Sequence, residues 1–245
     1  MQFSSNSERA ALVLLKLGQA GPEGLSLKMI ALGIDDTKPS THRTLMALVR
    51  HSLVAQSTVR GHYRIGPAVY KMVQVKSTLG ERIKRWRPVL TQIGERFGSS
   101  CFLLDRSGLD AVIVDMHIEQ SSVRILGDGI GGRLPLGFGL GSTAILALQQ
   151  EDNREAILVA NESRYRELGH DPKAIRERVQ VVAGLGYDFR HSAFISGVTG
   201  VSVPIVERDG SCRSALTVST LSEQFGDERL PEILAALQHH VGISA

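Results

Sequence analysis

Two groups of side chains in this 245-residue sequence have the types and spacing to do chemistry. The first is KPSTHRTLMALVR, Lys38 to Arg50, followed by Arg60, His62 and Arg64, with no Asp or Glu anywhere from Thr37 to His62. Arginines and helix N-termini favour phosphate oxygens, and Arg also pairs bidentately with guanine in the major groove. The second is Thr217 and Ser219, two apart in a run of strand character, so both hydroxyls face one side. Hydroxyls aimed inward need partners, which a ligand carboxylate, ordered water or neighbouring backbone can supply. A third set, Cys101, Cys212, His117, His191 and Asp188, contains nucleophiles and bases, but no pair lies in a recognisable catalytic motif. Two cysteines form neither a disulfide framework nor a metal-binding spacing, and each sits beside apolar residues, as buried reduced thiols do.

The chain is long enough for one large or two modest domains. No apolar run reaches the roughly 18 to 20 residues that span a bilayer, and MQFSSNSERA lacks the charged start and apolar stretch of a signal peptide, so the expected location is the cytoplasm with no membrane partner. Charge is distributed unevenly. Residues 1–78 hold 10 Lys or Arg against 4 Asp or Glu, while the remainder carries a net charge of −3. That asymmetry suits a basic module for a polyanion joined to a domain with another task, although a solvated basic surface has the same composition.

The elements that must position the first group follow from periodicity. Ser7 is placed to cap a helix through Leu17, with Ala10, Leu14 and Leu17 on one face. Ser26 caps a second helix, with Leu27, Ile30, Ala31 and Ile34 on its apolar side, and Asp35 and Asp36 make a turn. Pro39 then opens a third helix, on which Thr41, Leu45, Leu48 and Ser52 cluster on one side and Ser40, Arg43, Ala47 and Arg50 on the other. LVAQST and RGHYRIG read as two strands joined by a tight turn, with Val54, Val59, Tyr63 and Ile65 as packing residues. Three short helices and a basic hairpin describe a winged helix-turn-helix, whose third helix enters the major groove while the wing touches flanking backbone or minor groove.

At this point the sequence resembles the IclR-type bacterial transcriptional regulators. SERAALVLL, KPSTHRTLMAL and HYRIG match the family's first helix, recognition helix and wing in order and spacing. Asp35 stands where the family's turn has glycine, and Asp36 where a hydrophobic residue is usual. The expected architecture is α+β, with a winged helix-turn-helix over residues 1–66, a linker helix over 67–79 and a GAF-like antiparallel sheet domain with flanking helices over 80–245. In the segment from Pro67 to Phe97 the helical pattern is interrupted near Gly80, and Leu79, Ile83, Trp86, Leu90, Ile93 and Phe97 form a seam that must pack on a sheet or another chain.

Beyond Ser100 the pattern turns to strands: SCFLLD, LDAVIVDMHI and SVRIL, then a glycine-rich loop running into a helix from about Ser142. This loop does not match a P-loop or dinucleotide fingerprint, and no cofactor is expected. The IclR resemblance places it in an effector cavity and carries over Leu140, Gly141, Arg190, Gly200, Thr217 and Ser219 as pocket positions. Phe102, Leu134, Leu136, Phe138 and Leu140 supply apolar walls, and Arg190 or His191 favours an anionic ligand. The implied effector is a small organic acid, aromatic acids included.

The leading expectation is therefore a ligand-responsive regulator, not an enzyme, that self-associates as a dimer or tetramer and binds an inverted repeat in double-stranded operator DNA. Ser40, Thr41, His42 and Arg43 would read sequence; Lys38, Arg50, Arg60, His62 and Arg64 would hold the backbone and groove of the DNA. The competing reading is an enzyme transforming a small molecule in the second domain. A protein-interaction module explains the apolar seam but leaves the basic helix face without a purpose.

Overall fold

The computed structural model describes residues 5–73, 77–118, 129–191, 197–225 and 229–242. The chain folds as two compact units, Met1–Gly80 and Glu81–Ala245. The first contains α1 (Ser5–Gly18), β1 (Leu25–Ser26), α2 (Leu27–Gly33), α3 (Lys38–Arg50), β2 (Val54–Gln56), β3 (His62–Ile65) and α4 (Pro67–Val73). Ser26 caps α2 as expected, its Oγ accepting from the Met29 amide at 3.3 Å. α1 begins at Ser5, so Ser7 lies inside its first turn and does not cap it. Its buried stripe is Val13 and Leu17, four apart, a pairing that the expected Ala10–Leu14–Leu17 face omitted.

These helices share a core of Val13, Leu17, Ile30, Leu45, Leu48, Val54 and Tyr63. The strands form a three-stranded antiparallel sheet in the order β1-β3-β2, a two-residue strand from the end of the glycine-rich turn completing the hairpin. Asp35 adopts a left-handed φ of 51°, the conformation its place in the family's glycine position demands. Asp36 keeps the turn without a hydrophobic side chain: its amide donates to the Ala31 carbonyl at 2.9 Å and its carboxylate accepts from Arg9 Nε at 2.5 Å. Two expected packing residues sit elsewhere. Ser52 leaves α3 with φ 57° and is exposed, and Val59 on the hairpin turn is 37 % exposed.

The second unit contains α5 (Thr78–Phe97, its first turn assigned to the first unit), β4 (Ser100–Ser107), β5 (Asp110–His117), β6 (Arg133–Pro135), α6 (Leu140–Ala147), α7 (Glu151–Glu167), α8 (Pro172–Leu185), β7 (Asp188–His191), β8 (Val198–Val206), β9 (Cys212–Leu221), a 3-10 turn at Ser222–Gln224 and α9 (Arg229–Val241). Gly80 falls in the first turn of α5, which starts at Thr78 after the non-helical Ser77, so the helical pattern breaks earlier than Gly80. The strand expected at SVRIL lies outside the described residues. All ladders are antiparallel, in the order β6-β5-β4-β9-β8-β7.

Two cores flank this sheet, because alternate residues of each strand face opposite sides. Phe102, Leu104, Val198 and Ala215 face α6, α7 and α8. Cys101, Leu103, Val201, Val203, Leu216 and Val218 face α5 and α9, where the expected seam of Trp86, Leu90, Ile93 and Phe97 is buried. Two arginines pin α5 to that face: Arg82 Nη1 donates to Asp105 Oδ1 at 2.8 Å and Arg87 Nη2 to Asp115 Oδ1 at 2.7 Å. Asp171 caps α8, and Gly186, left-handed at φ 75°, ends it.

Candidate functional site

On α3 the sequence's two faces separate cleanly. Leu45 and Leu48 turn into the core, while Lys38, His42, Arg43, Ala47 and Arg50 are exposed and Ser40 is half-buried. Thr41 is a correction. Its side chain is completely buried and its hydroxyl donates to Asp36 Oδ2 at 3.4 Å, so it secures the helix to the preceding turn and cannot read a base edge. On the hairpin, Arg60 and Arg64 are exposed and His62 is half-buried, with Nδ1 lacking a hydrogen-bond partner among the described residues. Tyr63 and Ile65 point the other way, into or against the core.

Charge sharpens this face. Among the described residues, Lys38, Arg43, Arg50, Arg60 and Arg64 have no carboxylate within ion-pair reach, whereas the neighbouring acid Asp36 is committed to Arg9. Burial alone would raise the Asp36 carboxyl, but the Thr37 amide, Arg9 and Thr41 together hold it below the usual carboxylate range. The result is an α3 face, a hairpin turn and a β3 strand carrying uncompensated cations, which is what a phosphate backbone attracts.

The α6-facing side of the large sheet gathers the second group. Strand register places Gly200 beside Arg190 on one side and Ser219 on the other, and Thr217 beside Phe102. The N-terminus of α6 presses onto them. A Cβ on Gly141 would lie 2.7 Å from Leu104 Cδ1 and 2.8 Å from Thr217 Oγ1, and one on Gly200 would lie 2.6 Å from Leu140 Cδ1 and 2.7 Å from Ser219 Oγ. The structure thus brings Phe102, Leu140, Gly141, Arg190, Gly200, Thr217 and Ser219 onto one layer. Leu134 packs at the edge of the same core; Leu136 and Phe138 turn toward α7 and α8, the Leu136 carbonyl accepting from the Tyr165 hydroxyl and the Phe138 ring meeting His170 edge-on at 4.8 Å. They act there as core residues more than as walls of a cavity at Thr217. The side chain of His191 lies outside the described residues.

Two of the expected polar groups, Thr217 and Arg190, already have protein partners. Thr217 Oγ1 donates to Ser202 Oγ at 2.9 Å, and Ser202 Oγ to the Leu216 carbonyl at 3.0 Å. Arg190 Nη2 donates to Thr143 Oγ1 at 3.0 Å and lies 3.1 Å from Asp188 Oδ2. Asp188, fully buried, also accepts from Arg178. Burial pushes the Asp188 carboxyl up, the charges of Arg190 and Arg178 opposing it, and burial lowers Arg190 against the pull of Asp188. Arg190 is therefore a member of an Arg–Asp–Arg cluster with one excess positive charge. Arg178, Thr143 and Ser202 were missed from sequence. Asp188 stands two residues before Arg190 on one strand, a spacing that puts both on one face and is the signal for their pairing.

The thiols do not suit catalysis. Cys101 and Cys212 are buried, and burial pushes each thiol up to about 12, leaving no thiolate at neutral pH. No group of three or more His, Cys, Asp or Glu among the described residues could hold a metal ion, and no helix among them is long and apolar enough to cross a membrane.

Comparison with known proteins agrees with this geometry. The IclR helix-turn-helix domain matches residues 8–58, and the bacterial transcriptional regulator IclR C-terminal domain matches residues 78–242. The HTH-type transcriptional regulator XynR of Escherichia coli is 24% identical over 97% of this chain and 94% of its own. The Thermotoga maritima IclR structure superposes with a TM-score of 0.73 at 17% identity, covering 97% of this chain and 96% of that one. An IclR homologue of Microbacterium hydrocarbonoxydans, solved with 4-hydroxybenzoate, gives 0.73 at 18% identity, covering 98% and 100%. A helix-turn-helix whose outer α3 and hairpin cations lack acid partners among the described residues and an antiparallel α+β sheet domain, each matched by its own domain of one family, place the chain in the IclR family of bacterial transcriptional regulators, and it is a regulator rather than an enzyme.

Proposed function

We propose that this regulator is cytoplasmic, binds an inverted-repeat operator as a dimer or dimer of dimers and senses a small organic acid, with residues 67–79 joining the reading unit to the sensing unit. The observation that carries the reading is the outer face of α3: exposed His42, Arg43 and Arg50, with Lys38 at the helix start and no carboxylate to neutralise the cations. Ser40, His42 and Arg43 are the sequence-reading candidates, and Lys38, Arg50, Arg60 and Arg64 the phosphate-holding ones, with His62 between the wing arginines.

For the effector, the excess positive charge of the Arg178–Asp188–Arg190 cluster supports an acid, and Phe102, Leu104 and Leu140 around Thr217 and Ser219 support an apolar or aromatic body. Because α6 presses directly on Gly200, an effector entering beside Thr217 must displace Leu140, and that displacement supplies a difference between liganded and free states. A panel of aromatic and aliphatic acids, 4-hydroxybenzoate among them, tests the reading by thermal shift followed by operator binding with and without each hit. A stabilising acid that Arg190→Gln abolishes supports it; stabilisation indifferent to Arg190→Gln, or by no acid, counts against it.

A further inference from the structure

At the opposite end of β9 from Thr217 and Ser219 lies a second concavity, of ≈ 760 Å³, where the β4–β5 turn, the β8–β9 hairpin and the α6–α7 junction meet. Its volume falls in the range of small-molecule pockets, roughly 300 to 1,000 Å³. Five residues of strand separate Cys212 at its edge from Thr217, about 17 Å of extended chain, so the two places are distinct.

Two arginines define it. The ladder between β4 and β9 ends with Asp105 opposite Ser214, and Arg106 and Arg213 are the next residues along each strand. By the alternation that turns Phe102, Leu104, Ala215 and Thr217 toward α6, both guanidinium groups emerge on that same side, just past the end of the helix. Like charges on neighbouring strand positions repel, and among the described residues no carboxylate pairs with either. Arg106 Nε donates to the Gly108 carbonyl at 3.1 Å and its Nη1 to Gln149 Oε1 at 2.6 Å, both neutral acceptors. Among the described residues Arg213 Nη2 reaches only the Arg106 carbonyl, at 3.5 Å. Elsewhere in the unit Arg82, Arg87, Arg164, Arg176, Arg178 and Arg190 each reach a carboxylate, while Arg154 and Arg229, like Arg106, donate to neutral carbonyls.

Arg106 is also held in place. Gln149, which fixes its Nη1, donates to the Ile145 and Cys212 carbonyls at 2.9 and 2.7 Å, tying α6 to β9 beneath the guanidinium. Burial, and then the charge of Arg213, lower the Arg106 pKa, as expected of a cation lacking an anion. The acid on the lining, Asp209, is turned to Ser211, accepting from its amide at 2.9 Å and its hydroxyl at 2.6 Å.

We propose that this groove is a second ligand site, taking a small multivalent anion whose carboxylate or phosphate oxygens bridge Arg106 and Arg213. A thermal-shift series on the full chain, at fixed ionic strength set with chloride, tests this with inorganic phosphate, succinate and citrate as separate arms that distinguish phosphate from carboxylate. The expected result is a rise of roughly 3 °C or more with at least one anion, lost in Arg106→Gln and in Arg213→Gln and retained in Arg190→Gln. Arg213 is exposed and makes a single weak hydrogen bond, so its variant folds even if Arg106→Gln does not. No rise with any anion, or a rise that survives in Arg213→Gln, overturns the proposal. A rise lost in Arg190→Gln alone places the anion beside Asp188 and overturns it equally.

Discussion

Thr41 and Arg43 are two residues apart on α3 and take opposite fates, one buried against Asp36 and the other facing solvent. Arg43→Ala should weaken specific operator binding by about 1–3 kcal/mol without moving the thermal midpoint, measured at constant salt. Unchanged binding would remove α3 from the recognition role. Asp36 makes a prediction of opposite kind, about stability alone. Its pKa is depressed in the folded chain, so the unfolded chain takes up the proton first; the stability it contributes is present at neutral pH and lost as pH falls through and below the ordinary carboxylate range of about 4. Asp36→Asn should therefore lower the thermal midpoint at pH 7 and approach the natural chain as the pH falls below the ordinary carboxylate range. A midpoint difference constant across that range would show that the Arg9 ion pair is not what secures the turn.

At the scale of elements, the contact between α6 and β8 depends on Gly200 having no side chain. An added Cβ would lie 2.7 Å from the Val218 carbonyl as well as against Leu140, and backbone on a central strand cannot yield cheaply. Gly200→Ala should cost about 1–3 kcal/mol in chemical denaturation of the full chain, while Gly61→Ala, with open space around it but a left-handed φ of 77°, should cost about 1 kcal/mol. Equal costs would argue that α6 does not rest on the strand. These elements also show what sequence could and could not reveal. Periodicity located α3 and the seam of α5, because each is decided by local spacing. It placed the break after α4 too late, at Gly80, because a glycine near a helix start is tolerated. The partners of Arg190 and Thr217 were hidden for a different reason: Thr143 and Ser202 reach them through register and helix placement, which no local pattern encodes.

At the scale of the whole molecule, the coupling between operator and effector that the proposed function requires is reciprocal. If an acid changes operator affinity by some factor, operator DNA must change the affinity for that acid by the same factor. The charge asymmetry makes this measurable, since residues 1–78 hold the basic excess of the chain and binding through phosphate contacts is salt-dependent. Each of Lys38, Arg50, Arg60 and Arg64 that contacts a phosphate should contribute about 0.9 to the slope of log affinity against log salt, doubled when two protomers engage two half-sites. Titration of Arg60→Gln against operator over a salt series should lower that slope by roughly 2 for a dimer and roughly 1 for a single bound chain. An unchanged slope removes the wing from the backbone contacts. Repeating the series with a saturating effector separates two mechanisms: an effector that only shifts affinity moves the line in parallel, whereas one that lifts a reading unit from its half-site lowers the slope itself.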